Sequence, residues 1–216
     1  MTFELNAILS NSIWIGVVIC WVRFKKISPA YYPFVFLLTI GAINEIASII
    51  MVKLTNSNAI NYNLYSLVEF FLITWQFWRW NQFSKNKALY QLILAVGLTF
   101  WITENFVVKN IHSFNSYFVI GASFFIVLMS IHRINQLLYT TDSLLKNASF
   151  IICLCFVFYF TYAVLVEAFW AYGFTESASF VTRIYTILIY TNFIVNLVYA
   201  FAALWIPTKP KFILPS

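Results

Sequence analysis

The chain has 216 residues, of which 62% are hydrophobic, 21% aromatic and 9% charged. That make-up lies far outside the range of a soluble domain and excludes one. The net charge of +6 would suit nucleic acid, but the basic residues cluster beside apolar stretches rather than on a surface of their own, and no nucleic-acid partner is expected.

A helix needs about 20 residues to cross roughly 30 Å of hydrocarbon. The chain divides into seven apolar stretches near that length, at 5–22, 31–52, 61–79, 88–108, 114–131, 148–172 and 178–205. The reading is an all-α, polytopic membrane helix bundle with seven transmembrane helices in one domain, 1–216, and the lipid bilayer as its solvent. Arg23, Lys25 and Lys26 follow the first stretch, Arg79, Lys85 and Lys87 the third, Arg133 and Lys146 the fifth, and Lys209 and Lys211 the seventh. The opposite side receives only Lys53, Lys109 and Arg183. The positive-inside rule then puts the N-terminus outside and the C-terminus in the cytoplasm of a multi-pass cell-membrane protein.

The opening "MTFELNAILS" lacks a basic leader region, and the first stretch lacks a small-residue cleavage motif, so it is expected to stay in the mature protein. The second, "FVFLLTIGAINEIASIIMVK", carries Asn44 and Glu45 inside an apolar run. A charge there is unfavourable by about 2.5 to 3.5 kcal/mol on insertion scales, so such groups face protein or water and usually serve function. Gly41, Asn44, Glu45 and Ser48 share a helix face. In the third, Tyr62, Ser66, Glu69 and Gln76 recur at helical spacing, with Leu, Val, Phe and Ile between them. The fourth places Gly97, Trp101, Glu104 and Asn105 on one face, and the sixth carries Glu167.

The segment "INQLLYTTDSLLK" between the fifth and sixth stretches has the pattern of a short interfacial helix. The last stretch has two polar stripes, Arg183, Thr186 and Tyr190 on one face and Tyr185, Asn192, Asn196 and Tyr199 on another. The second continues towards the cytoplasm, as a proton or solute path or as interhelical hydrogen bonding would.

At 1.5 Å of rise per residue, Glu45 and Glu69 fall about 12 Å below the outer helix ends, and Glu104, Glu167 and Arg183 about 8 Å. These five are expected to form one layer. Four carboxylates facing one guanidinium in a low dielectric cannot all stay ionised, so protons or a cation must join them. The layer then reads as an outward-facing pocket for protons or a small cationic or zwitterionic solute. Its expected residues are Glu45, Glu69, Glu104, Glu167, Arg183, Asn44, Asn105, Tyr62, Ser66, Tyr190 and Asn192. A proton- or cation-coupled transporter is the alternative. A membrane enzyme using a glutamate as general acid on a lipophilic substrate is the third, and it predicts a lipid-sized aromatic cavity opening sideways. A structural role, with the glutamates locking helices together, is the bland reading.

Other chemistry has little support in the residues. Cys20, Cys153 and Cys155 read as small packing residues, His132 as a solvated helix-end residue and His112 as a loop residue within reach of the layer, so no metal site is assigned. Residues 178–205 contain no lysine, which excludes a retinal Schiff base; no other cofactor is indicated. No glycine-rich phosphate loop, serine-nucleophile motif or Cys-x-x-Cys pair is present. No proline lies deep in a stretch, which weighs against the broken helices common in transporters.

"GAINEIASII", "NYNLYSLVEFFLITW" and "TNFIVNLVYAFAALWIP" resemble stretches of small bacterial seven-helix membrane proteins. The resemblance implies a bacterial inner-membrane location and a sensory or accessory role with a signalling partner. It carries over no functional residue.

Overall fold

The computed structural model describes residues 3–83, 86–141, 143–172 and 178–209. The elements are helices, in chain order α1 (Phe3–Ser10), α2 (Ile13–Arg23), α3 (Tyr32–Thr55), α4 (Ala59–Arg79), α5 (Lys87–Ile102), α6 (Ser116–Leu138), α7 (Ala148–Ala171) and α8 (Ala178–Leu204). Two 3-10 turns, Pro29–Tyr31 and Leu144–Lys146, precede α3 and α7, and a π-helical turn, Thr103–Val108, extends α5. Among the described residues five segments are long and apolar enough to cross a membrane: Pro29–Thr55, Lys87–Val108, Ser116–Leu138, Ala148–Ala171 and Thr186–Leu204. The architecture is a helical bundle with the composition of a membrane protein.

Two of the seven expected stretches differ from those five. α4 has 21 residues, enough length, but Asn61, Asn63, Glu69 and Gln76 dilute its apolar character. The stretch 5–22 is divided at Asn11 and Ser12, where the backbone tightens into bonds from Ser12 N to Leu9 O (3.2 Å) and Trp14 N to Asn11 O (3.1 Å). No proline or glycine causes this. Asn11 Nδ2 donates to Ala7 O at 2.7 Å, the local competition by which asparagine loosens a helix. From α8, Asn196 Nδ2 reaches Ser10 O (3.4 Å) and Ser12 Oγ (3.2 Å), so a neighbouring helix meets the polar groups at the break.

The "INQLLYTTDSLLK" segment is not a separate interfacial helix over its first half, because α6 runs on through Leu138. No proline stands between Ser116 and Leu138, the one glycine, Gly121, is held within the helix, and the chain leaves it only at Tyr139.

Polar contacts identify which helix ends lie together. At one end Arg23 donates to the carbonyl oxygens of Ala203 and Ile206, joining α2 to the end of α8. Gln76 Nε2 donates to Ala30 O (2.7 Å) and its Oε1 accepts from Phe34 N (2.8 Å), tying the end of α4 to the start of α3. Arg133 reaches Trp80 O (3.4 Å) and Ser149 Oγ (3.2 Å) from the end of α6. At the other end Asn63 Nδ2 donates to Ile111 O (3.0 Å) and Ser113 O (2.8 Å), bringing the start of α4 to the loop before α6. The ends of α2, α4, α6 and α8 and the starts of α3 and α7 thus lie at the first end, and the starts of α4 and α6 at the second. Arg23, Arg79, Arg133 and Lys146 stand at the first end, and Lys53 and Lys109 at the second. Lys85 and Lys211, counted with the first group in the sequence, lie outside the described residues.

The core between α2, α3, α4, α7 and α8 is built on Phe34, Ile73, Phe77, Ile152 and Phe156, all with side chains closed to the surroundings. Cys20, Cys153 and Cys155 are free and buried in it. Gly16 lets α2 approach α8: a Cβ there would stand 3.6 Å from the Ala200 backbone and 3.3 Å from Leu38.

Candidate functional site

α3 and α4 turn their acidic residues towards the same space because Glu45 and Glu69 each lie on the polar face of an otherwise apolar helix. Both line a cavity of about 60 Å³ at mid-bundle, between α3, α4, α7 and α8. Tyr65, Tyr159, Asn192, Asn196 and Tyr199 supply its other polar groups. Ser10, next to the α1–α2 break, hydrogen-bonds Glu45, and Ile13 at the start of α2 lines the cavity. Gly41 leaves the wall thin: a Cβ there would come within 2.9 Å of Ile13 Cδ1 and 3.2 Å of the Tyr65 hydroxyl.

The polar groups in this cavity are incompletely paired with one another. Tyr65 donates to Glu69 Oε1 at 3.2 Å. Tyr199 is 8% exposed, packed edge-on against Phe34 and Phe156, and its hydroxyl bonds to no described residue. Asn196, 3% exposed, uses its Nδ2 on the α1–α2 break, while its Oδ1 accepts no bond from a described residue. Buried hydroxyl and amide groups are costly without partners, and a cavity of this size has room for a few waters.

A second cavity of about 60 Å³ lies between α4, α6 and α7. Glu69, Tyr65 and Tyr159 line it as they line the first, and Tyr62, Ser66 and Ser123 belong to it alone. Ser123 is 1% exposed and bonds to no described residue. Tyr62 donates to Glu167 Oε1 at 2.6 Å, and Tyr159 lies within electrostatic range of Glu45, Glu69 and Glu167. Glu45 and Glu69 thus share the first cavity with Tyr159, and Glu167 is tied to the second through Tyr62. They do not converge on a point: among the described residues no three His, Cys, Asp or Glu side chains are placed to hold a metal ion.

Glu104 stands elsewhere. It is 2% exposed on the π-helical turn, and Oε1 accepts from Lys109 Nζ (2.9 Å) and Tyr117 N (3.0 Å) while Oε2 accepts from Phe118 N. A carboxylate at these backbone groups caps the start of α6 and meets its positive dipole end. Lys109 also lies 4.4 Å over the Tyr117 ring and donates to Phe114 O at 3.0 Å. The π turn itself carries the bond from Lys109 N to Glu104 O (2.8 Å), which brings the lysine back over the acid.

The remaining expected residues divide among helix-joining bonds, a bond within one helix, the first cavity and the surface. Asn44 accepts from Asn61 Nδ2 (2.8 Å), which also reaches Ser48 Oγ (2.9 Å), joining α3 to α4. Ser66 accepts from Asn115 Nδ2 at 3.0 Å and donates to Asn63 O. Asn105 is buried, with Nδ2 on Trp101 O at 2.9 Å. Asn192 lines the first cavity. Tyr190 is 46% exposed, and Arg183 is exposed and forms no ion pair with a described glutamate. The Tyr185 side chain lies outside the described residues. His112 and His132 are exposed.

Tyr65, Tyr159 and Ser123 are the polar cavity residues that the expected stripes leave out. Tyr65 stands four residues before Glu69, one turn away, which is the available signal for it. Ser123 recurs with Ser116 and Ser130 every seven residues, a stripe that the reading by acidic residues passes over, whereas Tyr159 lies in a run of aromatic and apolar residues where nothing distinguishes it.

A larger cleft of about 280 Å³ lies between α4, α5 and α6 and is entirely apolar in its side chains, with Phe70, Val96, Phe100, Phe118 and Phe125 among its walls. Phe70, Phe118 and Ala122 separate it from the second cavity. Comparison with protein families, with curated proteins and with solved structures finds no match.

Proposed function

We propose that this chain is a seven-span cell-membrane protein, N-terminus outside and C-terminus cytoplasmic, whose mid-bundle pocket at Glu45 and Glu69 takes up protons or a small cation. The observation that carries this reading is the shared cavity: two carboxyl groups from different helices face a water-sized space together with the unpartnered hydroxyl of Tyr199 and the Oδ1 of Asn196. Oxygen donors of this kind suit protons, water and hard cations. A volume of about 60 Å³ favours these over a zwitterionic solute, since organic ligands usually occupy sites of roughly 300–1,000 Å³.

The alternation of helix ends, with Arg23, Arg79, Arg133 and Lys146 on one side, supports the orientation. α1 and α2 together, and α4, would complete the seven spans. α4 can enter a bilayer despite its polar residues because Asn63, Ser66, Thr74 and Gln76 are all buried against protein. Tyr62 and Glu167 would steady the pocket from the outer side, and Glu104 would hold α6 in place. A sensory or accessory module of this kind would pass its state to a partner protein through the helices that form the pocket.

One feature favours the enzyme alternative as a second reading. The apolar cleft of about 280 Å³ beside the second cavity has the size and aromatic walls that a lipophilic substrate requires. Conversion of added lipid or isoprenoid by the purified protein, abolished in Glu69→Gln, would favour it over binding alone.

The test of the leading reading is thermal stability of the detergent-purified protein against lithium, sodium, potassium, ammonium and divalent cations at several pH values, beside Glu45→Gln and Glu69→Gln. A ligand at a hundredfold excess over its Kd adds about 2.7 kcal/mol. A cation- or proton-dependent shift in wild type that both variants lose supports the pocket. Identical responses in all three proteins would refute it.

A further inference from the structure

We infer that Glu69 hands protons between the two cavities that meet at its side chain, making the bundle a proton path rather than a closed binding site. This rests on the reading that the Glu45–Glu69 pocket exchanges protons, and it adds direction to it.

The two cavities reach towards opposite ends of the bundle. The second begins at Phe118, about 3 Å of rise from Ser116 at the start of α6, where Asn63 and Asn115 join α4 to α6. The first extends to Tyr199, about 8 Å of rise before Leu204, the end to which Arg23 is bonded. Glu69, flanked by Tyr65 and Tyr159, is the acid common to both. Each cavity also has a polar side chain, at least nine-tenths buried, that no described residue satisfies: Ser123 in the second and Tyr199 in the first. Hydroxyls so placed are met by water, which is what a proton relay on either side of an acid requires.

The surroundings of Glu69 leave it free to change charge. Tyr62 and Tyr65 face it from α4, Tyr159 from α7 and Tyr199 from α8; Glu45 on α3 shares the first cavity with it, Glu167 on α7 is held by the Tyr62 hydroxyl, and α6 contributes the non-ionising Ser123. No described lysine, arginine or histidine forms an ion pair with it; the recorded ion pair is Lys109–Glu104. Tyr65 holds Oε1 at 3.2 Å, and Oε2 receives no bond from a described residue.

The step balances without a co-reactant. A proton on water in the second cavity moves to the Glu69 carboxylate, breaking one O–H bond and forming another. The resulting carboxylic acid rotates and releases that proton to water in the first cavity, restoring the carboxylate. Tyr65, Glu69, Tyr159 and Phe160 stand between the cavities, so a proton can cross by exchange where a metal ion would have to displace side chains.

The test uses the full chain in liposomes that trap a pH-sensitive dye, with a potassium gradient and valinomycin imposing the membrane potential. Internal pH should change several-fold faster than in protein-free liposomes. Glu69→Gln should bring the rate to the protein-free level, Glu69→Asp should retain part of it, and Ser123→Ala and Tyr199→Phe should each lower it. Replacing external sodium by choline should leave the rate unchanged. A wild-type rate equal to that of protein-free liposomes, alongside a Glu69-dependent stability response in detergent, overturns the proton path and leaves the pocket standing. Loss of both overturns both. Should Glu69→Gln not fold, an undiminished rate in Tyr199→Phe and Ser123→Ala overturns the inference on its own.

Discussion

Tyr62 on α4 donates its phenolic hydrogen to Glu167 on α7 over 2.6 Å, a bond between residues 105 positions apart in the chain. Tyr62 lines the second cavity, and the same ring packs edge-on against Phe114 at 5.4 Å. A hydroxyl held on a carboxyl oxygen fixes the spacing of α4 and α7 where the Glu69 site is built.

Tyr62→Phe should therefore cost about 1 to 3 kcal/mol of stability. Glu167→Gln should cost a similar amount, and the double variant should cost less than the sum of the two. Denaturation in mixed micelles measures all four proteins. Additive effects would mean that the bond contributes nothing of its own.

Glu104→Gln should destabilise the protein by about 2 to 3 kcal/mol, because it removes charge from bonds to Lys109 Nζ, Tyr117 N and Phe118 N at a 2% exposed position. It should leave the cation response of the pocket unchanged. A Glu104→Gln protein of normal stability that no longer responds to cations would place Glu104 in the site rather than in the cap of α6.

Gln76→Leu should cost about 2 to 4 kcal/mol. It leaves Phe34 N and Ala30 O without the side-chain partners they have at 2.8 and 2.7 Å in a fully buried position. Hydrogen exchange at residues 30–36 should accelerate in this variant; unchanged exchange there would show that the start of α3 is held by other contacts.

Gly97→Ala should cost about 1 to 3 kcal/mol through overpacking, because its Cβ would meet the Phe70 ring. Phe70→Leu in the same chain should recover part of the loss. An unaltered melting temperature for Gly97→Ala alone would show that α5 can move away from α4 freely.

Depth and periodicity make part of this legible in the residues. Glu45 and Glu69 lie at comparable depths on polar faces of two helices joined by a short turn, and Asn58, which precedes α4, and Asn61 on α4 reach Ser48 on α3 in that arrangement. The same arithmetic groups Glu104 with them, yet its bonds are to the start of α6. A rise per residue carries no information about direction around the axis, and the π turn at Thr103–Val108 changes that direction without any sequence breaker. The α1–α2 break is hidden for a similar reason. Asn11 and Ser12 can sit inside a helix, and only Asn196, distant in sequence, reveals what meets the polar groups when they do not. Tyr159 is unreadable because "FVFYFTY" is aromatic on all faces, so no period separates the residue that faces the glutamates from those that pack.

Infrared difference spectroscopy of the carboxyl groups in reconstituted protein, titrated with pH and with sodium or potassium, reads the pocket at its acids. A carboxyl band should change with pH or cation in wild type and disappear in Glu69→Gln, with Glu45→Gln altering its position and Glu104→Gln leaving it in place. A difference spectrum identical in wild type, Glu45→Gln and Glu69→Gln would sink the pocket and leave these acids as structural elements of the bundle.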